Sequence, residues 1–496
     1  MTRTLFRIFL TLVLALTLGV QGASAQGPCP SLTACPPPTP QPGRPDSNNN
    51  NAVWYVVGGI ATVAIGAFIA SRLFPTPERG LPPQQPPGDP PPVQPVNLPP
   101  GQPANLPPQS GSKAGAPKAT TTTALRKGFN LPVVGAPFVP NEVILDIPSG
   151  VSSRQLDVIA ARHRMVRVET QTFRLTGRTL HRWTFDDGNV FDMIRGMVSE
   201  QQVAGAQVNH LFALAQDQAP PMNSDQYAPE KLNLPEAHKL ATGSRVLVAV
   251  IDSGIDASHP DLTGAIASSF DAAAGAGPSH PHGTGMAGAI AARGNTLGAA
   301  PRVGVLAVRA FDPRTTSGEG TTFNIIKGLD WAVENGARVI NMSFAGPADP
   351  RLGDALDRAS KRGIVLIAAA GNAGPNSPPL YPAANRNVIA VTATDIEDRL
   401  YTGANRGNHI AVAAPGVDIL VPAPGGNYQF TTGTSVAAAH VSGVAALLIE
   451  RNPKLTPSDV RRILTRTAKS LGRGERARDF GAGLVNAFQA VSTAQR

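Results

Sequence analysis

The fold of this chain is decided by one stretch of its sequence, Gly433-Thr-Ser435-Val-Ala-Ala-Ala-His440-Val-Ser-Gly443. A Gly-Thr turn delivers Ser435 to the start of an Ala- and Val-rich run that continues at helical spacing through Leu447 and Ile449. The first N–H groups of a helix lack partners within it, and the helix dipole favours negative charge there. A serine in this place suits a nucleophile whose reaction creates an oxyanion, but it equally fits the N-cap of a buried helix. The rest of the chain has to decide between these interpretations.

Two further segments place residues with potentially catalytic side chains at the ends of a predicted strand and a predicted helix. The apolar run 245–251 is typical of a parallel strand buried on both faces, and it ends in Asp252. An acid there is either a partly desolvated group that needs a partner or part of an ordinary Asx turn. His282 precedes a Gly-Thr turn that opens an Ala-rich helix running to Ala292, whereas His280 is interpreted as a loop residue.

The remainder of this region alternates strands with helices, which predicts an α/β fold with a doubly wound parallel sheet. The predicted strands are 303–310, 338–344, 364–370, 388–392 and 410–414, and the predicted helices between them are 322–335 and 351–361. Ligand sites in such sheets lie at the carboxyl ends of the strands. Since Asp252, Ser343 and Asn372 all lie at the carboxyl ends of predicted strands, we expect them to share one site.

Four blocks now carry a resemblance: Asp252-Ser-Gly-Ile-Asp256, His282-Gly-Thr-Gly285, Ala370-Gly-Asn-Ala-Gly374 and Gly433-Thr-Ser435. Together and in this order they resemble the signature blocks of the subtilisin-like serine proteases, the subtilase family. The resemblance implies a subtilisin-like catalytic domain over 225–496, and segment 480–487 resembles the terminal helix of the family. The implied function is that of a serine endopeptidase, a hydrolase that cleaves polypeptides through an acyl-enzyme.

The resemblance also implies the roles of individual residues. Ser435 would be the nucleophile, His282 the general base, and Asp252 the acid that orients the imidazole. The Asn372 side chain and the Ser435 N–H would form the oxyanion hole. An extended substrate would pair with the strand made of Ser343, Phe344, Ala345 and Gly346.

Three positions depart from the family pattern without removing a reacting group. Gly285 stands where the family often has a second histidine, Val436 where methionine is common, and Ala439 where proline is usual. They bear on substrate preference and rate and leave the reaction class unchanged. His440 is interpreted as a packed helix residue.

Residues 126–220 predict a small α+β module that precedes the catalytic domain. Strands are expected at 142–147, 165–170, 180–185 and 203–214, with helices from Ser152 or Ser153 to Arg162 and over 190–201. This βαββαβ order resembles the inhibitory prosegment of the family. Such a prodomain would act as an intramolecular inhibitor, with its tail in the cleft and self-cleavage near 214–222. The histidines of this module show no partner cluster in the sequence.

The first 125 residues predict a secretory signal peptide, a membrane anchor and a linker. Residues 1–25 have the three regions of a secretory signal peptide, and 26–51 form a short polar segment whose Cys29 and Cys35 can pair in an oxidising compartment. Residues 52–72 contain an uncharged run, 52–70, of about 28 Å as a helix, which predicts a transmembrane anchor. Residues 73–125 form a Pro-rich linker. Basic residues after the anchor favour a cytoplasmic placement, while the signal favours the cell envelope, anchored or exported, so the side of the membrane stays open.

Composition and cysteine usage exclude several function classes. The net charge of +9 accompanies only 5% aromatic residues and no basic run interleaved with aromatics, so a nucleic acid is not an expected partner. The chemistry requires no cofactor, and structural calcium remains unknown because no recognisable loop is present. The main alternative is a catalytically silent envelope scaffold that keeps the protease fold; a general esterase is disfavoured because no Gly-x-Ser-x-Gly elbow occurs.

Overall fold

The structure is a computed structural model that describes residues 126–133, 135–215, 226–275, 277–312, 318–472 and 479–495. The predicted signal peptide, cysteine pair, apolar segment 52–70 and Pro-rich linker lie outside these residues. Within the described ranges, no helix combines the length and apolarity that a membrane span requires.

The first part of the described chain has the predicted βαββαβ order. Its elements are β1 Phe138–Asp146, α1 Ser153–Arg162, β2 Met165–Phe173, β3 Arg178–Phe185, α2 Val190–Met197 and β4 Gly205–Leu214. The strands pair antiparallel in the order β2-β3-β1-β4. The second helix is shorter than predicted, since it ends at Met197.

Local sequence explains why this module forms. Ser152 caps α1 in a capping box with Gln155, which satisfies N–H groups at the helix start that otherwise lack partners. One face of the sheet buries apolar residues against the two helices, and Trp183 lies fully buried there. The other face packs on the rest of the chain through side chains that include Phe173 and Phe212. The module therefore buries both faces of its sheet, and the face towards the rest of the chain combines apolar side chains with buried polar ones such as Gln207 and Asn209.

The second part is an α/β domain around a seven-stranded parallel sheet. Its elements are α3 Ala228–Lys231, α4 Leu234–His238, β5 Leu247–Asp252, β6 Ile266–Asp271, α5 Pro281–Ala291, β7 Gly304–Arg309, β8 Phe311–Asp312, β9 Glu319–Thr321, α6 Thr322–Glu334, β10 Val339–Met342, β11 Phe344–Ala345, α7 Pro350–Lys361, β12 Val365–Ala369, β13 Val388–Thr394, β14 Ile410–Pro415, β15 Ile419–Ala423, β16 Asn427–Thr431, α8 Thr434–Arg451, α9 Pro457–Thr467 and α10 Ala487–Thr493.

The order of the parallel sheet is β14-β13-β12-β10-β5-β7-β6. In β5, Val248 and Val250 enter one apolar core while Ala249 and Ile251 enter the other. This division explains the continuous apolar run in the sequence, because both faces of the strand are covered. The predicted doubly wound parallel sheet is confirmed.

Several elements differ from the sequence interpretation. Edge strand β6 was not predicted because Ser268 and Ser269 interrupt its apolar pattern, and β8 and β9 are too short to show a period. The expectation of a helix over 480–487 is wrong for most of that segment. Leu484 forms bridges to Ala413 and Lys469, and the helix begins only at Ala487, with Asn486 as its cap.

Helix α8 runs through the core, and His440 on it is fully buried, as its interpretation as a packed residue predicts. Its Nδ1 donates to the carbonyl oxygen of Pro415 at 3.0 Å. Burial lowers the pKa of His440 to about 4, and the bond to Pro415 opposes this only in part. The neutral imidazole is therefore the form that the core accepts.

This burial predicts an acid-sensitive stability. Because the folded pKa lies below the ordinary value of 6.5, the unfolded chain binds the proton more readily, and stability is lost as pH falls from about 6.5 towards 4. His440 then costs about 2 kcal/mol between pH 7 and pH 4.5. His440→Asn, which keeps a donor for Pro415 and cannot titrate, should flatten the pH dependence of the urea unfolding free energy by that amount. Parallel curves for the two proteins would contradict this account.

Candidate functional site

The carboxyl end of β5 brings Asp252 against the start of α5. His282 Nδ1 lies 2.7 Å from Asp252 Oδ1, and both side chains are almost completely buried. A carboxylate only accepts hydrogen bonds, so Nδ1 carries the proton. In the neutral ring the lone pair is then on Nε2, which has no hydrogen-bond partner among the described residues. His282 Nε2 is therefore a buried base without a hydrogen-bond partner among the described residues.

The Asp252 carboxylate is held on one side by the residue that follows it. Oδ1 accepts the Ser253 N–H at 2.8 Å and lies 3.0 Å from the Ser253 hydroxyl, whereas Oδ2 has no partner within the described chain. Oδ1 thus accepts hydrogen bonds from the Ser253 backbone and from the His282 ring. The carboxylate is thereby oriented towards the imidazole before any ligand binds.

Ser435 lies in the first turn of α8, directly after a strained turn. Gly433 has φ 151° and ψ 166°, a conformation that is essentially restricted to glycine. The Ser435 hydroxyl lies 2.5 Å from the carbonyl oxygen of Ala215 and 3.0 Å from that of Ser343. It makes no hydrogen bond to His282 in the described structure. The fold thus joins Asp252 to His282, while the Ser435 hydroxyl faces the chain segment that ends β4.

Asn372, which follows β12, is fixed by the start of the same helix. Its Oδ1 accepts the N–H of Thr434 at 3.1 Å and its hydroxyl at 2.9 Å. A backbone N–H can only donate, so this contact sets which end of the amide is the oxygen. The Nδ2 group is consequently turned away, buried and without a partner among the described residues. A buried donor without a partner is costly unless a ligand oxygen meets it.

The predicted substrate strand lies beside Ser435. The Ser343 hydroxyl donates to the Ser435 carbonyl oxygen at 2.9 Å, and its own carbonyl accepts the Ala215 N–H at 3.4 Å. Phe344 and Ala345 form β11, which pairs antiparallel with Leu214 and Ala213. The β4 tail therefore occupies this strand position from within the same chain.

A second strand completes the cleft on the opposite side of the tail. Strand β9 pairs antiparallel with Leu211, Phe212 and Ala213. This wall was missed in the sequence, because three residues, Glu319–Thr321, carry no pattern of their own. Gly346 does not pair with the tail; its backbone exchanges two hydrogen bonds with Tyr381, and an added Cβ would lie 2.3 Å from the Phe212 ring.

A buried polar cluster clamps β4 to the α/β domain. Asp349 Oδ2 accepts from Gln207 Nε2 at 2.9 Å, from the Thr322 hydroxyl at 2.6 Å and from His210 Nδ1 at 2.8 Å. Asp349 also caps α7. Burial alone raises the pKa of Asp349, but the bonds from His210, Thr322 and the helix N–H groups outweigh it and lower the pKa. His210, for which the sequence indicated no partner, therefore belongs to a charged contact between the two parts of the chain.

No group of three or more His, Cys, Asp or Glu side chains in the described part of the chain is arranged to hold a metal ion. The arrangement at β5, α5, α8 and the end of β12 instead combines a base, a hydroxyl and a buried amide donor.

Comparison with known proteins supplies the context for this geometry. The profile described as the Subtilase family matches residues 243–483. Thermitase of Thermoactinomyces vulgaris is 37% identical over 281 residues, covering 55% of this chain and 98% of thermitase. Subtilisin E of Bacillus subtilis (strain 168) is 38% identical over 288 residues, covering 55% of this chain and 69% of that protein.

A solved structure matches over a longer part of the chain. The crystal structure of fervidolysin from Fervidobacterium pennivorans, described as a keratinolytic enzyme related to subtilisin, has a TM-score of 0.63 and 23% sequence identity. The match covers 74% of this chain and 63% of fervidolysin. At this identity it supports the fold alone.

The close approach of Gly346 to Phe212 predicts a specific sensitivity. Gly346→Ala should displace the Phe212 ring, weaken the pairing of the tail and lower the free energy of unfolding by about 1–3 kcal/mol, since overpacking costs that much. Hydrogen–deuterium exchange of the amides in 211–214 should accelerate. The matched control is Gly353→Ala on α7, where an added Cβ meets nothing within 4 Å. That variant should keep exchange unchanged, and equal effects of the two substitutions would refute the packing argument.

Proposed function

Because the chain belongs to the subtilase family, it is a subtilisin-like serine endopeptidase, and we propose that Asp252, His282 and Ser435 are the residues that cleave the peptide bond. Members of this family need no cofactor for catalysis, and polypeptides are their substrates. The observation that carries the assignment is the peptide carbonyl of Ala215 held at the Ser435 hydroxyl. The His282–Asp252 pair, with its imidazole Nε2 without a partner in the described chain, supports it.

The proposed reaction is acyl transfer in two steps. Ser435 Oγ attacks the carbonyl carbon, its proton passes to His282 Nε2, and the Asp252 carboxylate stabilises the imidazolium through the 2.7 Å contact. His282 then gives that proton to the leaving amine, so the peptide C–N bond breaks and an acyl ester forms on Ser435. Water, deprotonated by His282, hydrolyses the ester and regenerates the hydroxyl.

The oxyanion is assigned to two donors. Asn372 Nδ2 is buried without a partner in the described residues, and the Ser435 N–H lies in the first turn of α8, where helix N–H groups lack internal acceptors. Both would gain their missing acceptor when the carbonyl oxygen becomes negative. The stabilisation is therefore greater in the transition state than in the ground state.

The βαββαβ module is proposed to be a prosegment that inhibits the enzyme and is removed by it. Its tail adds a strand between β9 and β11, which is how an extended substrate would bind, and it places Ala215 at Ser435. The proposed self-cleavage site is accordingly the bond after Ala215, at the near end of the range expected from the sequence. Residues Ser343, Phe344 and Ala345 would bind substrates in the same manner, and Gly346, which pairs with Tyr381, would border that strand.

The segments before this module complete the proposal. We infer a zymogen that enters the export pathway through residues 1–25 and is held at the membrane through 52–70, with 73–125 as a tether. The enzyme would then act in the cell envelope or after export. A protease-accessibility assay on intact cells and spheroplasts distinguishes the two sides of the membrane.

Substitution of the proposed nucleophile tests the assignment directly. Ser435→Ala should abolish labelling by a serine-reactive phosphonate and should leave the chain uncut after Ala215, since no acyl ester can form. Wild-type protein should yield a new N-terminus at Gln216, detected by N-terminal sequencing. Ser442→Ala, seven residues further along α8, serves as the control and should keep both properties. A wild-type protein that is neither labelled nor cut would favour the silent scaffold.

The oxyanion assignment predicts a loss confined to turnover. Asn372→Ala should lower kcat by about 10²–10³ with a small change in KM, because the donor acts mainly on the transition state. Steady-state kinetics on a peptide substrate measures both. A reduction that appears in KM alone would assign Asn372 to substrate binding instead.

A further inference from the structure

His280, interpreted as a loop residue in the sequence, lies at the N-cap of the helix that carries His282. Its backbone is extended, with φ −120° and ψ 144°, and its Nδ1 accepts the N–H of His282 at 3.2 Å. The same Nδ1 lies 3.0 Å from the Ser253 hydroxyl, which in turn lies 3.0 Å from Asp252 Oδ1. His280 therefore contacts the backbone of one proposed catalytic residue and, through Ser253, the side chain of another.

The direction of these hydrogen bonds sets the protonation state of His280. A backbone N–H can only donate, so Nδ1 must present a lone pair to His282. The ring is then neutral, with its proton on Nε2. A second proton, on Nδ1, would point at the His282 N–H, and the cap would be lost. That proton would instead be donated to the Ser253 hydroxyl oxygen at 3.0 Å, whose own proton goes to Asp252, so protonation costs the cap at His282 and keeps the Ser253 contact.

The surroundings favour the neutral ring. Burial lowers the pKa of His280, the Asp252 carboxylate raises it, and a charged His282 lowers it. Arg309, which lies next to Gly254 across the same loop, is paired with Asp271. The charges that act on His280 are those of Asp252 on β5 and His282 on α5.

Resting on the proposed triad, we propose that His280 is a positioning residue: its neutral imidazole accepts the His282 N–H and so caps α5 at the residue that pairs with Asp252. Protonation of His280 removes the cap and misplaces the His282–Asp252 pair, so activity requires two neutral imidazoles. His280 does not touch the reacting atoms.

Two substitutions distinguish the role of residue 280 as a hydrogen-bond acceptor from the effect of its protonation. His280→Ala removes the acceptor and should lower kcat roughly 10- to 100-fold with KM changed less than about twofold, as expected when catalytic groups are misplaced. His280→Asn restores an N-cap acceptor and should recover most of kcat at pH 8. Because burial lowers the pKa of His280, its protonation steepens only the more acidic part of the profile. There, kcat/KM of the self-processed wild type should fall about 100-fold per pH unit, and that of His280→Asn about 10-fold, because one protonation is removed.

A matched histidine controls for loss of a cap in general. His259 also caps a turn through Nδ1, towards the Asp261 N–H at 3.1 Å, but its Nε2 donates to the Asn427 carbonyl oxygen, away from Asp252. His259→Asn should change stability and keep the wild-type acid slope. Circular dichroism at each pH verifies that the proteins are folded. Full kcat in His280→Ala, or equal acid slopes for wild type and His280→Asn, overturns the proposal.

A measurement independent of activity keeps this proposal distinct from the triad assignment. In full-length Ser435→Ala protein, long-range ¹H–¹⁵N spectra should show the His280 ring with its proton on Nε2 at pH 8. A proton on Nδ1 contradicts the proposal even if the enzyme is active. A correct tautomer in a wild-type protein without phosphonate labelling would instead remove the triad assignment and with it the catalytic consequence.

Discussion

The structure depends on a buried carboxylate at the end of a buried strand. Asp252 ends β5, which is covered on both faces, so its charge is withdrawn from water and must be met by donors of the protein itself. The Ser253 N–H and the His282 ring supply them. Because the carboxylate can only accept, the same contact determines which nitrogen of His282 carries the proton. The burial of the Asp252 carboxylate therefore decides the tautomer of His282.

The second constraint is that a segment of the same chain, the tail of β4, fills the cleft. The tail of β4 is paired on both sides, by β9 and β11, and it ends with the Ala215 carbonyl at the Ser435 hydroxyl. The Asp349 cluster anchors the same strand a few residues earlier, where three polar side chains satisfy one buried carboxylate. Backbone pairing positions the tail, and the cluster keeps its register. The position of the tail explains why the Ser435 hydroxyl contacts the carbonyl oxygens of Ala215 and Ser343. His282 Nε2 is left without a partner among the described residues.

Sequence reasoning was most successful where a local pattern corresponds to a local structure. The apolar run before Asp252, the Gly-Thr turn before Ser435 and the Ser152 cap each lie in the predicted kind of element. Sequence reasoning failed where an element was too short to show a period or where no distinctive local pattern marked it. Strand β9 has too few residues for a period. The segment before Ala487 was assigned to a helix only by its resemblance to the terminal helix of the family, and it pairs with neighbouring chain instead. His280 looked like a loop residue because a helix cap with an imidazole has no distinctive spacing.

By itself, the sequence determined the order of the elements, the parallel sheet and the four blocks that identify the family, since these follow from periodicity and from residue types close together in the chain. Only the tertiary structure decided which atoms meet. The contact of Ala215 with Ser435 spans 220 residues, and that of His210 with Asp349 spans 139. Both depend on the register with which β4 adds to strands formed much later in the chain. Register is a property of paired backbones, and no local pattern of one strand contains it.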